Sequence, residues 1–252
     1  MADTGWLQKT YKLSLAFWKE AKPMEVTMIR EFEHAFDEKD ILQRLGMPVD
    51  HVFGENIRKL LEKTKAIAKP KAIFAACPIE ERTNHTVTAG GQVFRSATLA
   101  KKLRDVEVVY PYINTCGKEL ADYGKTLTDM VDQFAFDTIM EYYRRQIDIS
   151  LNGILADLVP EKKVVSASNP GSLTGWPINE QQAIFDLFGE HAADVGVTLN
   201  KNFLMFPVKS VAGLKFGTEG SYHDCELCQR SDCPSRKAPF SQKAYLEATE
   251  DH

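Results

Sequence analysis

Three cysteines fall within nine residues, in Cys225-Glu-Leu-Cys228-Gln-Arg-Ser-Asp-Cys233-Pro234. Two thiolates separated by two residues reach one metal ion or cluster through a tight turn, and the third follows after four more. Thiolates select soft or borderline metals, which makes zinc and an iron–sulfur cluster the candidates. Unligated thiols or a redox pair are the plain alternative. A closed site needs a fourth ligand. Cys116, in a strand-to-helix turn, is the first candidate, Cys77 at the end of another apolar run the second, and His223 and Asp224 are weaker ones. The proline after the last cysteine is frequent beside iron–sulfur ligands, and the paired CxxC knuckles of a zinc ribbon are absent. A four-iron four-sulfur cluster is favoured over zinc.

A second group is Ser168-Asn169-Pro170-Gly171-Ser172-Leu173-Thr174-Gly175-Trp176-Pro177. A strand entering a Gly/Pro-rich turn before a helix exposes backbone N–H groups that can hold a ligand carboxylate or hydroxyl. The same glycines also satisfy an ordinary loop. Trp176 is either that loop's core anchor or a stacking surface. A third group, Met205 to Gly213, sets Lys209 and Ser210 between two strands, where they meet an anion or mark a turn. No nucleophile elbow, P-loop, dinucleotide fingerprint or HExxH is present. His34, His51, His85 and His191 are scattered and read as surface or capping residues.

The elements that must position these groups follow from periodicity. Trp6, Leu7, Tyr11, Leu15 and Trp18 recur at helical spacing, which predicts an amphipathic helix from Trp6 to Ala21. A short helix is expected over Asp40–Gly46 and a longer one over residues 51–68, with a strand over Lys71–Cys77 and a hairpin around Gly90-Gly91. Ser96 caps a helix through Arg104, and Val106–Ile113 is a buried strand. Residues 117–156 read as one long helical stretch with Met130, Phe134, Ile139, Tyr143, Ile147 and Leu151 on its core face. Strands are expected over 163–167, 197–199, 203–206 and 211–216, and a helix from Asn179, its N-cap, to Phe188. Helices and strands alternate without a βαβ rhythm, which favours one α+β domain.

Composition closes off other classes. Of 252 residues, 31 are Lys or Arg and 35 Asp or Glu, a net charge of −4, and 44% are apolar. Disorder, collagen and disulfide miniproteins are excluded by these figures, and a general nucleic-acid binder by the missing basic face. No apolar run approaches the roughly 18 residues of a membrane span. With no signal-peptide arrangement at the start and five cysteines, an odd number, a cytoplasmic protein is expected.

The order of several segments resembles a known family. An Ile41-Leu42-x-Arg44-Leu45-Gly46 opening precedes the 71–77 strand and the hairpin. Asn114-Thr115-Cys116-Gly117-Lys118-Glu119-Leu120, the Gly-Trp-Pro turn with Gln181-Gln182, and Met-x-Pro-x-Lys-Ser-Val follow. Together they resemble the reactivation domain of cobalamin-dependent methionine synthase, in the stand-alone form of anaerobic microbes. The similarity runs over residues 25–240, with residues 1–24 as an added helix, 221–236 as a cysteine segment within the domain and 241–252 as a polar tail. It implies a single C-shaped or helmet-shaped α+β domain around a twisted antiparallel sheet with flanking helices. It also implies a groove for S-adenosylmethionine and docking on a cobalamin domain, where a cob(II) centre receives an electron and is trapped by a methyl group. Asn169, Gly171, Ser172, Gly175, Trp176, Lys209 and Ser210 are the residues this places at the ligand, with Glu141 a loose match to an acidic residue of the groove.

Two departures stand out. The family's ligand loop carries an arginine four residues before the glycine of its Gly-Tyr-Pro, and here Gly171 occupies that place. Losing such a bidentate partner weakens binding by about a hundredfold, so S-adenosylmethionine binding is doubtful. The second is the cysteine cluster, whose two-then-four spacing resembles that of corrinoid iron–sulfur proteins. The reading that joins both is reductive activation of a corrinoid-binding protein or methyltransferase through a Cys225, Cys228, Cys233 and Cys116 metal centre fed by an electron-donor protein. An accessory protein with a structural zinc, and a methionine synthase component that binds S-adenosylmethionine, are the alternatives.

Overall fold

The computed structural model describes residues 24–32, 36–220, 224–233 and 236–249. The helix expected over Trp6–Ala21 lies outside these residues, as do His34, His223, Pro234 and the last three residues of the tail. Strand β1 (Val26–Ile29) leads to helix α1 (Glu38–Arg44). Asp37 starts that helix through a reciprocal capping box: its carboxylate accepts the N–H groups of Lys39 and Asp40, and the Asp40 carboxylate accepts the Asp37 N–H at 2.8 Å. Helix α2 (Gly54–Ile67) buries Ile57, Leu60 and Leu61, as their spacing predicts.

Next come β2 (Lys71–Ala75), β3 (Cys77–Arg82), β4 (Thr86–Ala89) and β5 (Gln92–Arg95), then α3 (Ala97–Lys102), capped by the Ser96 hydroxyl. After β6 (Val108–Thr115), the stretch expected as one helix is two, α4 (Lys118–Gly124) and α5 (Met130–Ala156). Asp129 explains the break: its carboxylate accepts the N–H groups of Val131 and Asp132 and so begins a new helix. Met130 and Phe134, expected on the core face, are exposed, whereas Ile139, Tyr143, Ile147 and Leu151 are buried.

The chain continues through β7 (Val164–Ser168), α6 (Gln181–Phe188), α7 (His191–Val195), β8 (Thr198–Leu199), β9 (Met205–Phe206), β10 (Ser210–Thr218) and α8 (Gln242–Thr249). Asn179 does not cap α6. It sits in a 3₁₀ turn, Ile178–Glu180, that starts from the fixed φ of Pro177 and runs straight into the helix.

Eight strands form a curled antiparallel half-barrel with flanking helices. Its axis is β6. One edge of β6 pairs with β2 and then β3, in one unbroken register: Phe74 faces Tyr112 and Cys77 faces Val109. The 71–77 run thus follows one line along β6, interrupted at Ala76, with β1 added outside β2 and β4 and β5 outside β3. The other edge of β6 pairs with β10, and β10 with β7. Side chains alternate across β6. Val109 and Ile113 join the cluster that packs against α3, α6 and α7, while Tyr110 and Tyr112 join Ile147, Leu151 and Leu155 of α5.

Candidate functional site

Where β6, β7 and β10 meet α5, the sheet carries charge in its interior. Lys215, on β10, is 2% exposed, and its ammonium lies 2.9 Å from Asp148 Oδ1, 2.7 Å from Asn152 Oδ1 and 4.5 Å from the centre of the Tyr112 ring. Asn114 donates a further bond to Asp148 Oδ1 at 2.9 Å. Buried charges survive when paired and hydrogen-bonded, and this pair is both. Burial alone would raise the Asp148 pKa, but the Lys215 ammonium and Arg144 hold it below the ordinary value. Burial lowers Lys215 against the attraction of Asp148, and burial raises the Tyr112 phenol.

The segment after β7 closes over this pair. Asn169 donates from Nδ2 to the Tyr112 hydroxyl at 2.7 Å and to the Ala212 carbonyl at 2.8 Å. The approach needs Gly213: a Cβ there would overlap the Asn169 amide and stand 2.5 Å from the Ser168 carbonyl oxygen. Gly171 and Gly175 have φ of 83° and 77°, and the Gly171 N–H closes the loop onto the Trp176 carbonyl at 2.8 Å. Trp176 itself is buried edge-on against Phe94, a core anchor.

Between this loop, β10 and α5 lies a cavity of about 320 Å³ whose wall includes Arg144, Asn169, Ser172, Gln181, Ser210 and Lys237. Three of the residues selected from the sequence, Asn169, Ser172 and Ser210, are thus brought together. Gly171 and Gly175 shape the loop. Glu141 acts one step removed: its carboxylate accepts from Arg144 at 2.9 and 3.1 Å and from Arg145 at 3.0 Å. Burial opposes its ionisation, yet the two arginines hold its pKa below the ordinary value. Lys209 points elsewhere, to Asp137 at 2.8 Å, and borders a separate cavity of about 570 Å³ beside α4.

Arg144, Asp148, Lys215 and Lys237 were not anticipated. Lys215 interrupts an apolar strand, a visible sign of a charge turned inward, whereas Arg144 and Asp148, four apart on a helix, have the spacing of an ordinary surface pair.

The cysteine segment packs against the same loop. The Asp224 carboxylate accepts the Ser168 hydroxyl at 2.8 Å and the Asn169 N–H at 3.2 Å, and lies 3.5 Å from the Lys102 ammonium. The Thr174 hydroxyl donates to the Leu227 carbonyl at 2.9 Å, and Leu227 is buried in the cluster that contains Trp176. Burial raises the Asp224 pKa against the pull of Lys102. Cys225, Cys228 and Cys233 are half-buried on this segment. Cys116 is fully buried in another cluster with Leu120, Phe136 and Ile139, and burial pushes its thiol up to about 12, as it does that of Cys77. Among the described residues, no three His, Cys, Asp or Glu side chains gather as a metal site.

No family model matches this chain, and no curated protein does. Among solved structures it is similar to the MetH reactivation domain crystallised with AdoHcy, with a TM-score of 0.58 and 13% identity over 81% of each chain. At that identity the likeness is one of fold.

Proposed function

We propose that this chain sustains a corrinoid-binding methyltransfer protein in its active state and holds a ligand of the S-adenosylmethionine type in the 320 Å³ cavity. The observation that supports the reading is the fold, which four-fifths of the chain shares with a reactivation domain whose crystal holds AdoHcy. The cavity fits the small end of the range for ligand sites, about 300–1,000 Å³. Its polar wall suits a ligand with charged groups. The loop position where the resemblance calls for an arginine is Gly171, but Arg144 and Lys237 bring positive charge to the cavity from α5 and from the residue after the cysteine segment.

In this reading the partner's cob(II) centre takes one electron from a donor protein, and the methyl group of the bound ligand traps the reduced centre. An uphill reduction is thereby drawn forward by a methyl transfer that does not reverse. Cys225, Cys228 and Cys233 have the spacing of a soft-metal site, although among the described residues they do not gather as one, and a metal held there would offer a second route for that electron.

The test is a reconstitution under anaerobic conditions. The chain, a cob(II)-loaded corrinoid domain, a low-potential donor and methyl-labelled S-adenosylmethionine are combined, and the methylcorrinoid spectrum and transferred label are followed. Methylation that requires the chain supports the reading, and methylation at the same rate without it overturns it. Iron, sulfide and zinc analysis of the same preparation decides the electron route: about four iron and four sulfide per chain supports a cluster, and one zinc with no iron removes it.

A further inference from the structure

We infer that Lys237, the residue directly after the cysteine segment, is the anion-binding residue of the cavity, so that the segment positions part of the ligand site. The inference rests on reading the cavity as that site. Three cations border it: Arg144, Lys215 and Lys237. Two are committed. Lys215 is held by Asp148 and Asn152, and Arg144 donates two bonds to Glu141. Among the described residues Lys237 has no ion pair within 4.0 Å; Asp148, already held by Lys215, attracts it only from further off, so its ammonium can take an incoming anion.

The backbone that carries Lys237 is tied at several points. The Arg236 guanidinium donates to the carbonyls of Cys225 at 2.9 Å, Cys228 at 2.9 Å and Ala238 at 3.0 Å, and also to that of Arg230. One side chain thus gathers both ends of the segment. The Lys237 N–H itself points to Cys225 Sγ at 3.4 Å. Asp224 and Leu227 then clamp the segment to Ser168, Asn169 and Thr174, as described above.

A second observation calls for a ligand. Gln181 is 4% exposed and borders the cavity, and its Oε1 has no hydrogen-bond partner among the described residues. A buried acceptor left unmade is costly, and a ligand N–H would satisfy it. A cation in want of an anion and an acceptor in want of a donor, on one cavity, select a small zwitterion, a carboxylate with an ammonium group close by.

The experiment measures the acetylation rate of Lys237 in the intact chain by peptide mass spectrometry, with Lys201 as the exposed reference. The probes are S-adenosylhomocysteine and L-methionine. Protection of Lys237 by several-fold, with Lys201 unchanged, is expected. In parallel, Lys237→Met lowers S-adenosylhomocysteine affinity by about tenfold or more, and Lys237→Arg recovers most of it, since a charge-assisted contact is lost and then restored. Lys237 is exposed, so both variants fold, which circular dichroism checks. If S-adenosylhomocysteine binds but Lys237 stays unprotected, or Lys237→Met binds equally well, the inference is overturned while the adenosyl reading stands. Protection by L-methionine without binding of S-adenosylhomocysteine sustains Lys237 and removes the adenosyl reading. Protection by neither probe overturns the inference outright.

Discussion

The Asp224 carboxylate accepts the Ser168 hydroxyl at 2.8 Å, and this contact joins the first helical turn of the cysteine segment to the last residue of β7. Because the next N–H, that of Asn169, goes to the other oxygen of the same carboxylate, the loop over the cavity and the segment that carries the thiols form one unit. Disturbance of one is felt by the other.

Lys102 gives this unit a measurable pH dependence. Burial lowers its pKa from 10.5 to about 8, against the attraction of Asp224. Between these values the unfolded chain holds a proton that the folded chain has released, so stability from this residue rises with pH from about 8 to 10.5. Below about 8 the cost of burying the ammonium is present in full. Urea unfolding at stepped pH, for the wild type and Lys102→Met, should show the wild type gaining on the variant across that window. A constant difference contradicts the assignment.

The Lys215–Asp148 pair should respond asymmetrically. Asp148→Asn strands a cation that is 2% exposed and is expected to cost about 3–5 kcal/mol. Replacing both residues, with Asp148→Asn and Lys215→Met, should recover most of the loss. Because the folded pKa of Asp148 lies below its ordinary 3.8, the pair's contribution is intact above that value and disappears as pH falls through the folded one. Chemical denaturation of the three proteins at pH 7 decides whether the pair behaves as a unit.

Thiol chemistry separates the cysteines. With their pKa values pushed up to about 12, Cys77 and Cys116 remain thiols at pH 8 and should resist iodoacetamide in the folded chain. The half-buried Cys225, Cys228 and Cys233 should be modified when no metal is bound and protected when one is. Peptide mapping before and after chelation reads both states, and rapid native modification of Cys116 would refute the first part.

Gly213→Ala tests the close approach of Asn169. The added methyl has no space beside the Asn169 amide and the Ser168 carbonyl, so an overpacking cost of about 1–3 kcal/mol is expected. The displaced Asn169 should also weaken S-adenosylhomocysteine binding. A variant that melts as the wild type does and binds equally well would show the loop to be pliable there.

Local chemistry made much of the fold legible. Gly90-Gly91, Ser96 and the apolar run Val106–Ile113 each mark an element that the structure contains, because turn geometry, capping and strand burial act over a few residues. The break at Asp129 was hidden by a helical period that continues across it, and Met130 and Phe134 followed that period onto the wrong face. The site was half legible. Asn169, Ser172 and Ser210 sit in loops and strand ends whose residue types suggest binding. Arg144 and Lys237 reach the same cavity from about 25 and 68 residues away on either side of Asn169, and only the pairing of β6, β7 and β10 brings them there. Spacing along a chain carries no sign of such a meeting.

The pairing of β10 with β6 also sets a timetable. Ser210 lies opposite Thr115 and Lys215 opposite Tyr110, about a hundred residues apart along the chain. Synthesis proceeds from the N-terminus, so the central strand waits with one edge bare while the intervening half of the domain is made. Lys237 joins the cavity wall only after residue 237 has left the ribosome, so a nascent chain short of that point lacks this part of the wall.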